Sequence, residues 1–258
     1  MSKKTYPTVD AVFAEVATRK ARAAKARREP RAADAEAPRE IYGAACAAVA
    51  AALAADGFSY AKSRATLTRK AGDVTHRVLF QSSHNNVAGE HVAMWMYAHV
   101  QSAALGAWRE KQRRRAREDD FVAGGMVHLL EPDGPKMIEW ELARAAARDA
   151  AVADVVSHLR SVVLPYFSLF AAPPALIERL KRRSVPAFEL ASSVEYALCF
   201  GDARDAQAIL DAYLRERPDL EAPSRAAQEK LATSGPPARC PNAYAEQIAW
   251  LRVVHSLA

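Results

Sequence analysis

Cysteine is scarce in this chain. Its 258 residues hold three, Cys46, Cys199 and Cys240, far apart and without paired spacing. That pattern excludes a disulfide framework and a thiolate metal site and fits a reducing compartment. Long apolar runs are missing too. The stretch Ala44 to Ala55 is too short and too rich in alanine to span a bilayer, and Met1-Ser2-Lys3-Lys4 is not followed by an apolar signal core. A cytoplasmic protein that does not contact membranes is the expectation. A phosphate loop is lacking as well: Gly124-Gly125 is a lone pair at a strand start, without the longer glycine-rich turn running into a helix N-terminus. Ser82, Ser83 and Cys46 have no strand-turn-helix elbow and no glycine pair to build an oxyanion hole, so no catalytic residue is assigned.

The formal charge of +6 is concentrated at one end. Residues 1 to 40 carry ten Lys/Arg against six Asp/Glu, which leaves 26 against 24 for the rest of the chain. The body is therefore nearly neutral, and the abundance of Ala and Arg reads as compositional habit. Lys111 to Arg117, with five basic residues in seven, is the strongest local positive run, but Glu118-Asp119-Asp120 follows at once and neutralises much of its field. A solvated helix face or loop is the expectation there.

What is present is a patterned centre. Val74 to Gln81 and His91 to Val100 read as strands joined by the polar loop Ser82 to Glu90. In the second, Val92, Met94, Met96, Ala98 and Val100 fall on one face, while His91, Ala93, Trp95, Tyr97 and His99 fall on the other. The first is a core face and the second is aromatic and titratable. A helix over Arg39 to Ala55, stopped by Asp56-Gly57, precedes these strands, and Ala71-Gly72-Asp73 is a hairpin turn. Further strands are predicted at Val122 to Leu130 and, after the turn Pro132 to Pro135, at Met137 to Trp140. Glu141 to Leu164 carries a helical apolar stripe, which Pro165 kinks or ends.

These elements predict an α+β fold: an antiparallel meander of four to five strands with helices packed on one face, followed by a C-terminal helical segment. Three regions are expected. Residues 1–38 form a basic arm, with a helix over Thr8 to Arg28 and a linker from Pro30 to Pro38. Residues 39–172 form the α+β domain, and 173–258 a helical extension docked on it, with helices over Ala175 to Arg183, Phe188 to Phe200, Ala203 to Arg217 and Asn242 to Leu257. Gly201 should stop one helix and Asp202 cap the next. The stretch Tyr196 to Pro218 is similar to one tetratricopeptide hairpin; a single copy cannot build a solenoid.

The order helix, Gly57-Phe58, a strand with Arg64 and Arg69, Phe80-Gln81-Ser82-Ser83, the His91 to Val100 strand and Leu164-Pro165-Tyr166-Phe167 resembles the uncharacterised bacterial family catalogued as domain of unknown function 4304. The resemblance covers about residues 39 to 170. It implies an α+β fold and carries no catalytic residues to transfer.

Candidate site residues gather around the centre. Arg64, Arg77 and Gln81 form a polar set at the sheet edge; a structural hydrogen-bond network closing the Ser82 to Glu90 loop is the expectation for it, with an anion or peptide-carboxylate site as the alternative. His76, His84, His91 and His99 crowd the same stretch, yet His91 and His99 lie about 26 Å apart along an extended strand, so they cannot share an ion. No metal and no cofactor are expected. Trp95 and Tyr97 are residue types favoured at interface centres. The leading reading is a non-enzymatic protein-interaction or regulatory module with a protein partner, binding through Arg64, Arg77, Gln81, His84, His91, Trp95, Tyr97 and His99. One alternative is a hydrolase or nuclease with a histidine-centred pocket at His76, His84, Glu90 and His91. The other is non-specific nucleic-acid association through the basic arm.

Overall fold

The computed structural model describes residues 36–117, 119–131 and 137–258. The helix expected over Thr8 to Arg28, most of the linker that follows it, Glu118 and the turn Pro132 to Pro135 lie outside the described residues.

Helix α1 (Pro38–Leu53) starts with proline in its first turn, where a missing N–H costs nothing, and buries Ile41, Cys46, Val49 and Leu53 on one side. It ends as expected at Gly57, whose φ of 84° permits the left-handed turn that sends Phe58 into the core. An antiparallel meander follows: β1 (Ser59–Ala61), β2 (Thr66–Ala71), β3 (Val74–Ser82), β4 (Ala93–Ser102) and, after a helix, β5 (Phe121–Met126), ordered β1-β2-β3-β4-β5 in the sheet. Gly72 and Asp73 make the two-residue turn between β2 and β3, and the Asp73 carboxylate accepts from the Ser102 hydroxyl at 2.5 Å and the Ala104 N–H at 2.7 Å. That carboxylate ties the turn to the start of α2 (Ala103–Lys111), which Ser102 caps.

The predicted strand at Val122 to Leu130 is β5 (Phe121–Met126), followed by a tight turn of helix at Val127–Leu130. The predicted fifth strand shortens to β6 (Trp140–Glu141), which pairs with the opening residues of β4 beyond the reach of β5. The predicted pair Gly124-Gly125 sits inside β5 and not at its start. Gly124 has φ of 130°, and a Cβ there would lie 2.0 Å from the Ala98 carbonyl oxygen. Glycine is therefore what lets β5 approach β4 at this point. Gly124→Ala should cost about 3 kcal/mol or more from strain and lost pairing. Gly125→Ala would meet the flexible tip of Leu129 at 3.3 Å and, in ordinary contact, Ala187 Cβ at 3.9 Å, and should be tolerated. Thermal denaturation of the two variants checks this; equal melting temperatures would sink it.

The core face is the one the alternation predicts. Val92, Met94, Met96, Ala98 and Val100 are buried, joined from β3 by His76, Val78 and Phe80. α1 covers part of this face, with Cys46 Sγ 4.0 Å from Met94 Sδ. The helix predicted from Glu141 starts later, as α3 (Ala145–His158), and does not end at Pro165. A π-helical turn, Leu159–Val163, leads into α4 (Leu164–Ser168). Proline lacks the N–H and crowds the preceding turn of a regular helix, and the wider π turn just before Pro165 relieves that conflict. Phe167 of α4 then stacks on His76, ring centroids 4.5 Å apart.

The remaining helices are α5 (Pro173–Lys181), α6 (Leu190–Phe200), α7 (Ala203–Glu216), α8 (Glu221–Ser234) and α9 (Tyr244–His255). Asp202 caps α7 through the N–H groups of Arg204 and Asp205. Helix α8 is absent from the sequence expectation because it has no apolar stripe; Ser224 alone is buried. It is held by the buried Arg252 of α9, which donates to Ser224 Oγ at 3.0 Å and to the Glu221 carboxylate at 3.0 and 3.1 Å. One continuous hydrophobic core runs from α1 to Leu257, so the C-terminal helices share the core of the sheet domain. Among the described residues no single helix is long and apolar enough to cross a membrane.

Candidate functional site

Strand register gathers most of the predicted residues on the face opposite the core. Gln81 faces Trp95, Leu79 faces Tyr97 and Arg77 faces His99 across β3 and β4. Beyond β4, Phe121 of β5 faces Gln101. Tyr97 meets His99 edge to face at 5.9 Å, His99 meets Phe121 at 5.2 Å, and the Arg117 guanidinium lies 4.4 Å from the Phe121 ring centre. The result is a row running Tyr97, His99, Phe121, Arg117. Trp95, Tyr97, His99, Arg77 and Phe121 are all half-buried, and Gln81 is exposed. None of the apolar side chains here, Leu79, Trp95, Tyr97 or Phe121, belongs to the core or packs on it.

Two guanidiniums, Arg77 and Arg117, stand beside the row. Burial, then the Arg117 and Arg77 guanidiniums, hold His99 below the ordinary histidine range, so the imidazole is neutral between two cations. Nε of Arg77 is buried without a hydrogen-bond partner. Arg117 also pairs with Asp119 at 2.9 Å and with Glu189 at 3.6 Å. Arg77 is not at the sheet edge, because it lies between Thr68 of β2 and His99 of β4, whereas Gln81 lies beyond the last β2 pair. Arg64 is exposed in the turn before β2, off this face.

The histidines separate instead of converging. His76 shares the parity of Val78 and Phe80, and is buried in the core against Phe167. Arg69 donates to its Nδ1 at 3.3 to 3.4 Å, and burial together with that cation lowers the ring to about 4. It lies six residues before Ser82, so roughly 20 Å of strand separates it from the His84 loop. His91 stands just outside β4, with Nδ1 2.5 Å from Glu141 and Nε2 3.9 Å from Glu139. Burial pushes the Glu141 carboxyl up, but N–H groups of Val92 and Ala143 and the His91 ring outweigh it and hold it low. His84 is exposed in the loop. That loop is closed by Asn86, which donates to Ser82 Oγ at 2.8 Å and accepts from Ala93 N–H at 2.9 Å, and by the Val87–His91 bridge. Arg64, Arg77 and Gln81 take no part in closing it. Among the described residues no three His, Cys, Asp or Glu side chains converge as metal ligands would.

Two features escaped the sequence. One is a buried ion pair, Arg109 to Glu195 at 2.7 Å, in which Arg109 also donates to the carbonyls of Asp119 at 2.9 Å and Phe121 at 2.6 Å. Glu195 accepts in turn from the Ala116 N–H. The other is the fate of the basic run. Arg114, Arg115 and Arg117 are half-buried, not a solvated face. Arg114 and Arg115 meet the loop before α9, and Arg115, Arg117, Asp119 and Arg239 line a cleft of ≈ 450 Å³. Nothing local in the sequence joins residues 115 and 239. No family model, no curated protein and no solved structure matches this chain.

Proposed function

We propose that the protein is a non-enzymatic binding module, and that the Trp95, Tyr97 and His99 face of the sheet docks an acidic segment of a partner protein. The observation that carries this reading is a set of half-buried aromatic side chains that stand apart from the core and are flanked by Arg77 and Arg117. Trp, Tyr and Arg dominate the energetic centres of protein interfaces, the rings because they bury much area for little entropy and Arg because its planar fork donates several hydrogen bonds at once. The Arg77 guanidinium, whose buried Nε has no hydrogen-bond partner, selects for a carboxylate on the partner. The hydrolase or nuclease alternative needs histidines and a carboxylate converging on one pocket. The distance of His76 from His84, and the pairing of His91 with Glu141, speak against it.

The test is a peptide array of acidic and charge-neutral sequences probed with the full chain, followed by affinity measurements on the best acidic peptide. Trp95→Ala and Tyr97→Ala should each weaken binding by about 30-fold, the scale of an interface hot spot. Arg77→Glu should weaken the acidic peptide more than a neutral one, with circular dichroism unchanged. If acidic peptides bind no better than neutral ones, or if Trp95→Ala binds like the wild type, the reading fails.

A further inference from the structure

A second cleft, of ≈ 420 Å³, opens among the C-terminal helices, where α7 ends and α6 and α9 begin. Phe188, Tyr213 and Tyr244 bring it three aromatic rings from three separate segments, and Asn242 adds an amide. Tyr213 carries the Arg183 guanidinium over its ring, 4.8 Å from the centre, and the Tyr244 ring lies 6.2 Å away, tilted by 37°.

Charge does not define this cleft, because every ionic group in its lining already has a partner of opposite sign. Arg183 pairs with Glu216 at 3.2 Å, Arg217 with Asp219 at 2.8 Å, and Glu189 with Arg117 at 3.6 Å. A charged ligand would have to break one of these pairs. What the lining leaves without a partner is neutral. Tyr213 is only 6% exposed, yet its hydroxyl makes no hydrogen bond to any described residue. A hydroxyl withdrawn that far from water ordinarily has a partner, since leaving the bond unmade costs free energy. Burial holds the Tyr213 hydroxyl above the ordinary tyrosine range, so it stays protonated and able to donate. The Asn242 amide is exposed and likewise makes no hydrogen bond to any described residue, and Tyr244 is 55% exposed, one of the few large hydrophobic side chains that open to solvent.

We propose that this cleft binds an uncharged nucleoside, its base stacked on Tyr244 and its polar edge met by the Tyr213 hydroxyl and the Asn242 amide. A flat heteroaromatic ring is the ligand that uses all three at once: a π face to lie on and, in the plane of the ring, a donor beside an amide that matches paired donor and acceptor sites. The volume is that of a small-molecule site. An amino acid or a phosphorylated compound brings charge that the existing ion pairs would have to yield to, and a sugar alone offers no aromatic face. The site rests on no part of the sheet-face reading.

Calorimetric titration of the full chain with adenosine, guanosine, cytidine and uridine tests it. At least one of them should bind saturably at one site. Tyr213→Phe should weaken that nucleoside by about tenfold, the scale of one buried hydrogen bond, and Tyr244→Ala by about tenfold or more, the scale of one stacked base. Tyr213→Phe should nevertheless melt like the wild type, because its hydroxyl has no bond within the fold to lose. The matching 5′-monophosphate should bind no more tightly than the nucleoside, since the guanidiniums are occupied, and Trp95→Ala should leave the affinity unchanged, which separates this site from the docking face. Four outcomes would overturn the proposal: no saturable heat with any of the nucleosides at millimolar concentration, binding that ignores Tyr213→Phe and Tyr244→Ala, a monophosphate that binds about tenfold more tightly or better, or a Tyr213→Phe variant that melts well below the wild type. The last would make the hydroxyl a bond of the fold and not of a ligand.

Discussion

Met96→Asp should unfold the protein or bring it close to unfolding. Met96 is fully buried in the middle of β4, facing Phe80 on β3, with Met94 and Ala98 buried on either side of it in the chain. A carboxylate there has no donor to meet and must either stay charged in an apolar medium or take up a proton at a cost. Either way the penalty is several kcal/mol, on the order of a whole domain's margin. His99→Asp, three residues on and on the opposite face, should be far milder, because that face is half-buried and Arg77 and Arg117 would flank the new charge. Urea titrations of the two variants make the comparison. A Met96→Asp midpoint within error of the wild type would mean that the two sheet faces are wrongly assigned.

Glu195→Ala should be the other severe substitution, and for a different reason. The Glu195 and Arg109 side chains are 0 and 1% exposed, and they join α6 to α2 across 86 residues of chain. Burial pushes the Glu195 carboxyl up, while Arg109 and the Ala116 N–H pull it down; burial wins. A buried pair of this kind adds little net stability, but removing one partner strands the other. Arg109 would keep its bonds to the carbonyls of Asp119 and Phe121 and lose its counter-charge, at a cost of about 3–5 kcal/mol. Glu195→Gln should cost less, since an amide oxygen still accepts one hydrogen bond. Because α6 belongs to the C-terminal helices, hydrogen exchange should rise first across 190–216 in Glu195→Ala. A loss below about 1 kcal/mol in a urea titration would show that the pair is not the joint between helices and sheet.

The two substitutions differ in how visible their sites are in the sequence. Met96 announces itself, because a strand has a period of two and an apolar parity repeated five times can only be a core face. His76 carried the same signal: it shares a parity with Val78 and Phe80, and that pattern marks it as a core histidine and not a pocket member. The hairpin turn at Gly72-Asp73, the left-handed stop at Gly57 and the cap at Asp202 are equally legible, since each is a short-range demand of the backbone on one or two residues.

What only the tertiary structure decided is the matching of distant segments. The sequence by itself determined the α+β class, the antiparallel order, the core face and the helix that covers it, because those follow from local periodicity and short connections. It could not place Arg109 against Glu195 or Arg115 beside Arg239, since partner choice over 86 or 124 residues depends on how packed elements meet and leaves no mark on local pattern. Helix α8 was invisible because its stability comes from Arg252 of another helix instead of an apolar stripe of its own. Pro165 disturbs the helix without ending it, because the helix widens into a π turn just before it. The basic run is neutralised in part as its neighbours suggest, through Arg117 and Asp119, while Asp120 turns to the sheet and Arg115 lies beside Arg239, because electrostatics acts through distance in space, not position along the chain.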